Sequence, residues 1–220
     1  MTIASGDGSG PAATVGEHGQ QHHRGLYRDI ADFADSTPPW VQGLAELWTE
    51  AGLLLFGALF LAAWWRARGG STSDIALAVL APLATVAGYA VSESLKSVFD
   101  EERPCRTVTE AAASLAACPP TGDWSFPSNH ASIAGAAAVA LALAWPGLVW
   151  AVVPMALLMG FSRVFVGVHY PHDVMVGMVL GAVVGAGVMV GFARLGGRTL
   201  GAMRESRHRL PVWFAGPGRG

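Results

Sequence analysis

The sequence predicts an all-α protein, a multi-span transmembrane helical bundle with five spans and a sixth left open. Hydrophobic residues make up 52% of the 220 residues and charged residues only 14%. The apolar residues are also gathered in long stretches, some of which need their flanks to reach the roughly 20 residues that cross a bilayer. These stretches run Leu53 to Trp65, Ile75 to Val91, Ala131 to Trp145, Gly147 to Phe161 and Val174 to Ala193.

Proline and glycine inside these stretches are compatible with a bundle of spanning helices. Pro82 and Pro154 lie within two of them, and neighbouring groups in a bundle satisfy the carbonyls that proline frees. Small residues in the last stretch let helix backbones approach closely. They are Gly177, Gly181, Gly185 and Gly187.

The N-terminal region, residues 1–43, differs from the rest in composition. Met1 to Gln21 is rich in Gly, Ala and Ser, and without a basic start or an apolar core it predicts a disordered tail rather than a signal peptide. Leu26, Ile30 and Phe33 share one helical side, which predicts a short interfacial helix. Residues 44–195 then form the transmembrane domain, and residues 196–220 form a basic cytoplasmic tail.

The placement of charge predicts the topology. A net charge of −2 gives a nucleic-acid partner no electrostatic support. Arginines follow the first and the last span, so both segments are expected in the cytoplasm. They are Arg66 and Arg68, then Arg194, Arg198, Arg204, Arg207 and Arg209. The loop from Ser97 to Phe126 then lies outside a plasma membrane, and with five spans so does the N-terminus.

Cys105 and Cys118 both lie in this outer loop. An oxidising compartment favours a disulfide there, which would contribute about 2 to 3 kcal/mol by closing a short loop. Two free thiols are the alternative.

Three segments carry residues suited to phosphoryl chemistry. Lys96, the one lysine of the chain, is followed by Arg103, although a lone lysine taken by itself is better explained as a cation that snorkels at the membrane edge. Ser128 or Asn129 can cap the third span, whose N-terminus would attract an anion, and His130 could protonate a leaving oxygen. An ordinary capped helix with an interfacial histidine is the alternative.

The third segment runs from Ser162 to Asp173. Arg163, His169 and Asp173 interrupt apolar runs, where ionisable groups are costly unless they pair or serve a site. If the chain stays helical through Pro171, the carboxylate of Asp173 can hold one nitrogen of His169 and leave the other free to attack. A buried Arg163–Asp173 ion pair is the alternative, but it leaves His169 unexplained. All three segments map to outer ends of spans, which predicts one cationic pocket of Lys96, Arg103 and Arg163.

The spacing Lys-x6-Arg-Pro, Pro-Ser-x-His and Ser-Arg-x5-His-x3-Asp, over Lys96 to Asp173, resembles the signature motifs of the type 2 phosphatidic acid phosphatase (PAP2) family, related to vanadium-dependent haloperoxidases. The resemblance implies His169 as nucleophile, Asp173 as its orienting group and His130 as general acid. It also implies phosphate binding by the residues Lys96, Arg103, Ser128, Asn129 (through its amide) and Arg163, without metal or organic cofactor. Asn129 stands where the family usually has Gly.

The resemblance implies a bacterial cell-membrane hydrolase that removes phosphate from a lipid phosphate through a phosphohistidine. An isoprenoid diphosphate of the undecaprenyl or decaprenyl type is the expected substrate, with phosphatidic acid or phosphatidylglycerol phosphate as the alternative. Three alternative functions are a vanadate-dependent haloperoxidase, a metal site of His169, His172 and Asp173, and a non-catalytic lipid-binding or scaffolding protein. The motifs define neither the lipid tail nor the oligomeric state.

Overall fold

The computed structural model describes residues 11–218, with side chains from residue 24 onwards, and every regular element in that part of the chain is helical. The predicted all-α class is confirmed, whereas residues 1–10 of the predicted disordered tail lie outside the described residues. The helices are α1 (Pro11–Ser36), α2 (Pro39–Ala67), α3 (Thr72–Phe99), α4 (Pro104–Thr107), α5 (Asn129–Ala144), α6 (Val149–Phe165), α7 (Pro171–Arg204) and α8 (Arg209–Ala215), with a short 3₁₀ turn at Pro146–Leu148.

Each of the five apolar stretches forms one helix of the bundle. The helices α2, α3, α6 and α7 are long and apolar enough to cross a membrane, whereas α5 has only 16 residues. α5 is the central helix, since it packs against α3, α6 and α7 and most of its residues are buried. The outer surfaces remain apolar, as a lipid-facing belt requires. Exposed large residues of this belt are Leu54, Leu61, Val86, Trp150, Val183 and Val190.

Glycines allow α7 to lie directly against α5. A β-carbon at Gly177 or Gly181 would collide with the backbone carbonyl of Ser128 or Ser132, and one at Gly185 would press on Ala136. The predicted close packing therefore holds for these three glycines. Gly187, in contrast, has nothing within 4 Å of where a β-carbon would lie, because it lies off the helix face that contacts α5.

α1 contains the predicted Leu26–Phe33 helix but begins upstream of it, at Pro11, so residues 11–21 of the predicted disordered tail are helical in the structure. It does not qualify as a candidate span. Tyr27 is buried, and its hydroxyl donates to the carbonyl of Gly167 at 2.9 Å, while the Phe33 ring packs edge-on against Phe165. α1 therefore lies over the connection between α6 and α7.

The opposite end of the bundle is closed by α8. α7 continues beyond residue 195 to Arg204, which donates to the carbonyls of Gly70 and Ala215. Arg68 lies 4.9 Å from the ring of Trp213 and donates to its carbonyl. Part of the predicted basic tail thus belongs to the folded bundle.

Candidate active site

All eight predicted site residues lie at one end of the bundle, opposite Arg66 and Arg68. The sequence brings them there because α3 and α6 end, and α5 and α7 begin, at this end of the bundle. Lys96 is in the last turn of α3 and Arg103 follows it, Ser128, Asn129 and His130 begin α5, Arg163 is in the last turn of α6, and His169 and Asp173 flank the start of α7.

Asp173 holds the loop that carries His169. Its Oδ2 accepts from the backbone N–H of Tyr170 at 2.8 Å and lies 3.4 Å from Nδ1 of His169. Ser125 donates to the same oxygen and lies 3.3 Å from Nδ1. The condition of a helix that continues through Pro171 is not met, because Tyr170 is the N-cap and α7 begins at Pro171, so His169 lies before the helix. The carboxylate instead reaches back from the first turn, as an acidic N3 residue does.

Arg103 contacts the other nitrogen of His169. Its Nη1 lies 3.2 Å from Nε2 and donates to the carbonyl of Val168 at 3.0 Å. Since a guanidinium has no acceptor, Nε2 must present its lone pair, and the ring proton must be on Nδ1, facing Asp173. Burial lowers the pKa of His169 to about 4, with Arg103 and Arg163 adding to this and Asp173 opposing it. The ring is therefore neutral at pH 7, with the lone pair of Nε2 directed at the Arg103 guanidinium.

Lys96 and Arg103 meet at the carboxylate of Asp123. The Oδ1 atom accepts from Nζ of Lys96 at 2.8 Å and from Nη2 of Arg103 at 2.9 Å, and Nε of Arg103 donates to the Asp123 carbonyl at 2.8 Å. Burial alone would raise the pKa of Asp123, but the hydrogen bonds from Lys96 and Arg103 outweigh it and hold the pKa below its ordinary value. The two cations are thus arranged around a single anionic oxygen.

The first turn of α5 faces this pair. Ser128 is the N-cap residue, but its hydroxyl makes no cap hydrogen bond, so the backbone N–H groups of the turn have no partner within the helix. The side chain of Asn129 is turned towards α3, where it contacts Ser92 and Glu93, and its backbone N–H, in the first position of α5, has no partner within the helix. His130 interacts electrostatically with Arg163, His169, Lys96 and Arg103, and its Nε2 lies 3.9 Å from Glu50.

Arg163 does not form the ion pair with Asp173 that was the alternative to a catalytic site. Within residues 24–218, where side chains are described, it makes no ion pair within 4.0 Å, and its Nε is buried without a hydrogen-bond partner. Its carbonyl accepts from Val168 at 3.3 Å, which fixes the loop that follows. A buried guanidinium with an unused donor is suited to an anionic ligand.

Two residues of the site were missed by sequence reasoning, Ser125 and Asp123. Both lie in the long connection between α3 and α5, and their contacts join positions far apart in the chain. Ser125 has a positional signal, since it precedes Pro127-Ser128, but nothing in its neighbours predicts a contact with Asp173. Asp123 carries no signal beyond being an acidic residue between the first two motifs.

A disulfide fixes the loop that precedes Asp123. Cys105 and Cys118 are joined, with Cα atoms 6.0 Å apart. Between them, the backbone N–H of Ala112 donates to Asp32 of α1, and that of Ala116 donates to the carbonyl of Val166. The loop therefore packs against both α1 and the loop that carries His169.

The alternative metal site of His169, His172 and Asp173 is only partly brought together. The ligand atoms of Glu101, His172 and Asp173 lie within 4.8 Å of one another, and His169 is not part of this group. Nε2 of His172 lies 3.1 Å from both carboxylates. The contact with Glu101 is a hydrogen bond, whereas Oδ1 of Asp173 lies within ion-pair distance without accepting a hydrogen bond.

The arrangement of histidines, cations and a helix N-terminus is chemically suited to phosphoryl transfer, and the profile of the PAP2 superfamily matches residues 75–196. The chain belongs to the PAP2 superfamily. As the motifs predicted, it is a membrane lipid phosphatase, a hydrolase of phosphate esters.

Known PAP2 proteins are similar over different lengths. The undecaprenyl-diphosphatase BcrC of Bacillus subtilis is 29% identical over 168 residues, which cover 76% of each chain. A decaprenylphosphoryl-5-phosphoribose phosphatase of Mycobacterium tuberculosis is 53% identical over 64 residues, which are 28% of this chain and 34% of that protein. The crystal structure of Aquifex aeolicus LpxE superposes with a TM-score of 0.60 at 24% identity, over 75% of this chain and 93% of that one, which establishes the shared fold.

Proposed function

We propose that this phosphatase hydrolyses an isoprenoid diphosphate through a phosphohistidine formed on Nε2 of His169. The single observation that carries the proposal is the state of that ring. One nitrogen faces Asp173 at 3.4 Å and the other faces the Arg103 guanidinium at 3.2 Å. An imidazole that is neutral, oriented and directed at a cation is ready to attack a phosphorus atom that the same cation binds.

Unused donors around His169 support phosphate binding. Among the described residues, the buried polar atoms without a hydrogen-bond partner include Ser128 Oγ, Arg163 Nε and His130 Nε2. A buried donor without a partner costs about 1 to 3 kcal/mol, so several in one place indicate a site made for a polar ligand. With Lys96, Arg103 and the amide of Asn129, these donors would surround the equatorial oxygens of the phosphoryl group.

The reaction then proceeds in two displacements. In the first, Nε2 of His169 bonds to the terminal phosphorus, the bridging P–O bond breaks, and His130 gives a proton to the departing lipid phosphate. In the second, His130 takes a proton from water, whose oxygen attacks the phosphohistidine and releases inorganic phosphate and neutral His169. Asp173 keeps the proton on Nδ1 of His169 in the resting enzyme and stabilises the charge that develops on the ring.

An isoprenoid diphosphate is supported by the relatives and by the surface of the bundle. The name of the B. subtilis relative, with 76% coverage, specifies undecaprenyl diphosphate. An apolar groove of about 840 Å³ between α2, α3 and α8, lined among others by Leu53, Pro82 and Trp213, offers a lipid-facing surface for a long hydrocarbon chain and extends towards the end opposite the site. A phosphomonoester on a prenyl-linked headgroup is the second candidate, favoured by the 53% identity to the mycobacterial enzyme.

The site is proposed to face the outside of a bacterial plasma membrane. Arg66 and Arg68 lie at the end opposite the site, and the positive-inside rule assigns that end to the cytoplasm. Cysteines introduced at Ser97 and Gly69, both exposed and at opposite ends, test this side. A membrane-impermeant maleimide should label Ser97→Cys in intact cells and Gly69→Cys only after permeabilisation. The reverse pattern contradicts the proposed orientation.

The substrate is tested by phosphate release from purified lipids in detergent with a chelator present. The panel contains undecaprenyl diphosphate, a prenyl-linked sugar phosphate, phosphatidic acid and phosphatidylglycerol phosphate, and His169→Ala is the control. The proposal predicts that undecaprenyl diphosphate has the highest kcat/KM and that His169→Ala releases no phosphate from any lipid. Preference for a glycerolipid phosphate contradicts the isoprenoid assignment, and turnover by His169→Ala contradicts the mechanism.

A further inference from the structure

The carboxylate of Asp123 occupies the position where the proposed site would bind a phosphate oxygen. Its Oδ1 lies 2.8 Å from Lys96 Nζ and 2.9 Å from Arg103 Nη2. We propose, on the basis of the function proposed above, that Asp123 is a specificity-determining residue, a tethered carboxylate that the phosphoryl group of a lipid substrate must displace.

Asp123 engages the edge of Arg103 that is suited to phosphate. Nε donates to the Asp123 carbonyl and Nη2 to its carboxylate, and these two nitrogens form one of the edges with which a guanidinium binds an oxyanion bidentately. The remaining nitrogen, Nη1, is directed to Val168 and His169. A phosphate can therefore obtain both Lys96 and Nη2 of Arg103 only if the Asp123 carboxylate withdraws.

The chain around Asp123 allows that withdrawal. Gly122 has a φ of +89°, a conformation that glycine adopts without strain, and the Asp123 backbone N–H donates to the carbonyl of Pro120 in a tight turn. The Asp123 side chain is 42% exposed, whereas those of Lys96 and Arg103 are 8% and 4% exposed. Rotation of the side chain thus moves the carboxylate into water and frees Lys96 and Nη2 of Arg103, while Nε of Arg103 keeps its hydrogen bond to the Asp123 carbonyl and both cations stay in place.

A tethered carboxylate discriminates between anions according to the additional interactions that bind each anion. A carboxylate attached to the loop is present at a high effective concentration, so dissolved phosphate competes poorly with it. A lipid substrate has additional binding through its apolar chain and is concentrated in the membrane. The pKa of Asp123 is below its ordinary value, because hydrogen bonds from Lys96 and Arg103 outweigh burial, so the competitor is ionised at neutral pH. Its return to the cations would also help product phosphate to leave.

The test compares phosphate inhibition of the full-length enzyme with that of Asp123→Asn. The expected result is a Ki for inorganic phosphate about tenfold lower in the variant, because a charge-assisted competitor has been removed. Glu102→Gln is the matched control, since Glu102 lies in the same connection, loses the same charge and is equally exposed at 42%, but contacts Arg106. Its Ki should stay within about twofold of the wild type. A Ki that is unchanged or higher in Asp123→Asn means that Asp123 only organises the cations, which overturns the proposal.

A second measurement does not depend on turnover. Inorganic phosphate should raise the unfolding temperature of Asp123→Asn, and of Asp123→Ala, at lower concentrations than it does for the wild type and Glu102→Gln. If the wild type binds phosphate but hydrolyses no lipid, the proposed function fails while this comparison still decides the role of Asp123. Equal half-effect concentrations in all proteins contradict that role.

Discussion

Nη1 of Arg103 lies 3.2 Å from Nε2 of His169, although the two residues are 66 positions apart in the sequence. Arg103 follows α3 and His169 precedes α7. The contact therefore requires the first and the last of the three motifs to meet at one end of the bundle. Because arginine only donates, the contact also fixes which nitrogen of His169 carries the proton. Orientation of the ring and the proposed binding of the phosphoryl group are thereby linked through one side chain.

The state of His169 can be measured directly. Histidine-selective ¹⁵N NMR, with His169→Ala to assign the signal, should show a neutral ring protonated on Nδ1 throughout the neutral range. Burial lowers its pKa to about 4, so the charged form should accumulate only as the pH falls towards 4, not near the ordinary 6.5. A titration near 6.5, or a proton on Nε2, would be incompatible with the geometry described.

Asp173 and Ser125 should affect catalysis to different degrees. Asp173→Asn removes the acceptor for Nδ1 of His169 and is expected to lower kcat about 10²- to 10⁴-fold. Ser125→Ala removes one hydrogen bond to Asp173 and should lower kcat about three- to tenfold. Both variants should leave KM within a few-fold, which steady-state kinetics on the preferred lipid will check. A larger effect for Ser125→Ala than for Asp173→Asn would reverse the assigned order.

Arg163→Lys keeps the positive charge but removes the planar donor pair. The expected loss of transition-state stabilisation is about 2 to 4 kcal/mol, seen as a fall in kcat/KM. Arg106→Lys is a suitable comparison, because Arg106 contacts Glu102 and the carbonyl of Pro119 rather than the site. If both arginine variants retain the same activity, bidentate binding by Arg163 is not part of the mechanism.

Substituting the glycines of α7 that face α5 should lower the thermal stability of the protein. Gly181→Ala places a methyl group against the carbonyl of Ser132, and overpacking of this kind costs about 1 to 3 kcal/mol. Gly187→Ala meets nothing within 4 Å and should be neutral or stabilise by up to about 1 kcal/mol, since alanine favours the helix. Thermal unfolding in detergent compares the two. Equal unfolding temperatures would contradict the described packing.

The sequence was sufficient for those parts of the structure that local composition determines. Apolar length predicted the five bundle helices, and the cost of ionisable groups near a bilayer identified Arg163, His169 and Asp173. The helix through Pro171 on which the His169–Asp173 argument was conditional does not form, because α7 begins at Pro171, and the carboxylate instead reaches backwards from the first turn.

Pairings between distant loops could not be predicted. The contacts of Asp123 with Lys96, of Ser125 with Asp173 and of Tyr27 with Gly167 depend on how the connections fold over the bundle. Sequence periodicity and motif spacing do not predict such contacts, because each contact joins segments that are far apart in the chain and irregular in conformation.

The central claim, that His169 attacks the phosphorus atom, is tested most directly by trapping the intermediate. The enzyme is mixed with a lipid diphosphate labelled in its terminal phosphate, quenched in alkali within milliseconds, and mapped by peptide. The account predicts an acid-labile label on the peptide that contains His169, and none in His169→Ala. A label on His130, or turnover without any labelled histidine, would contradict it.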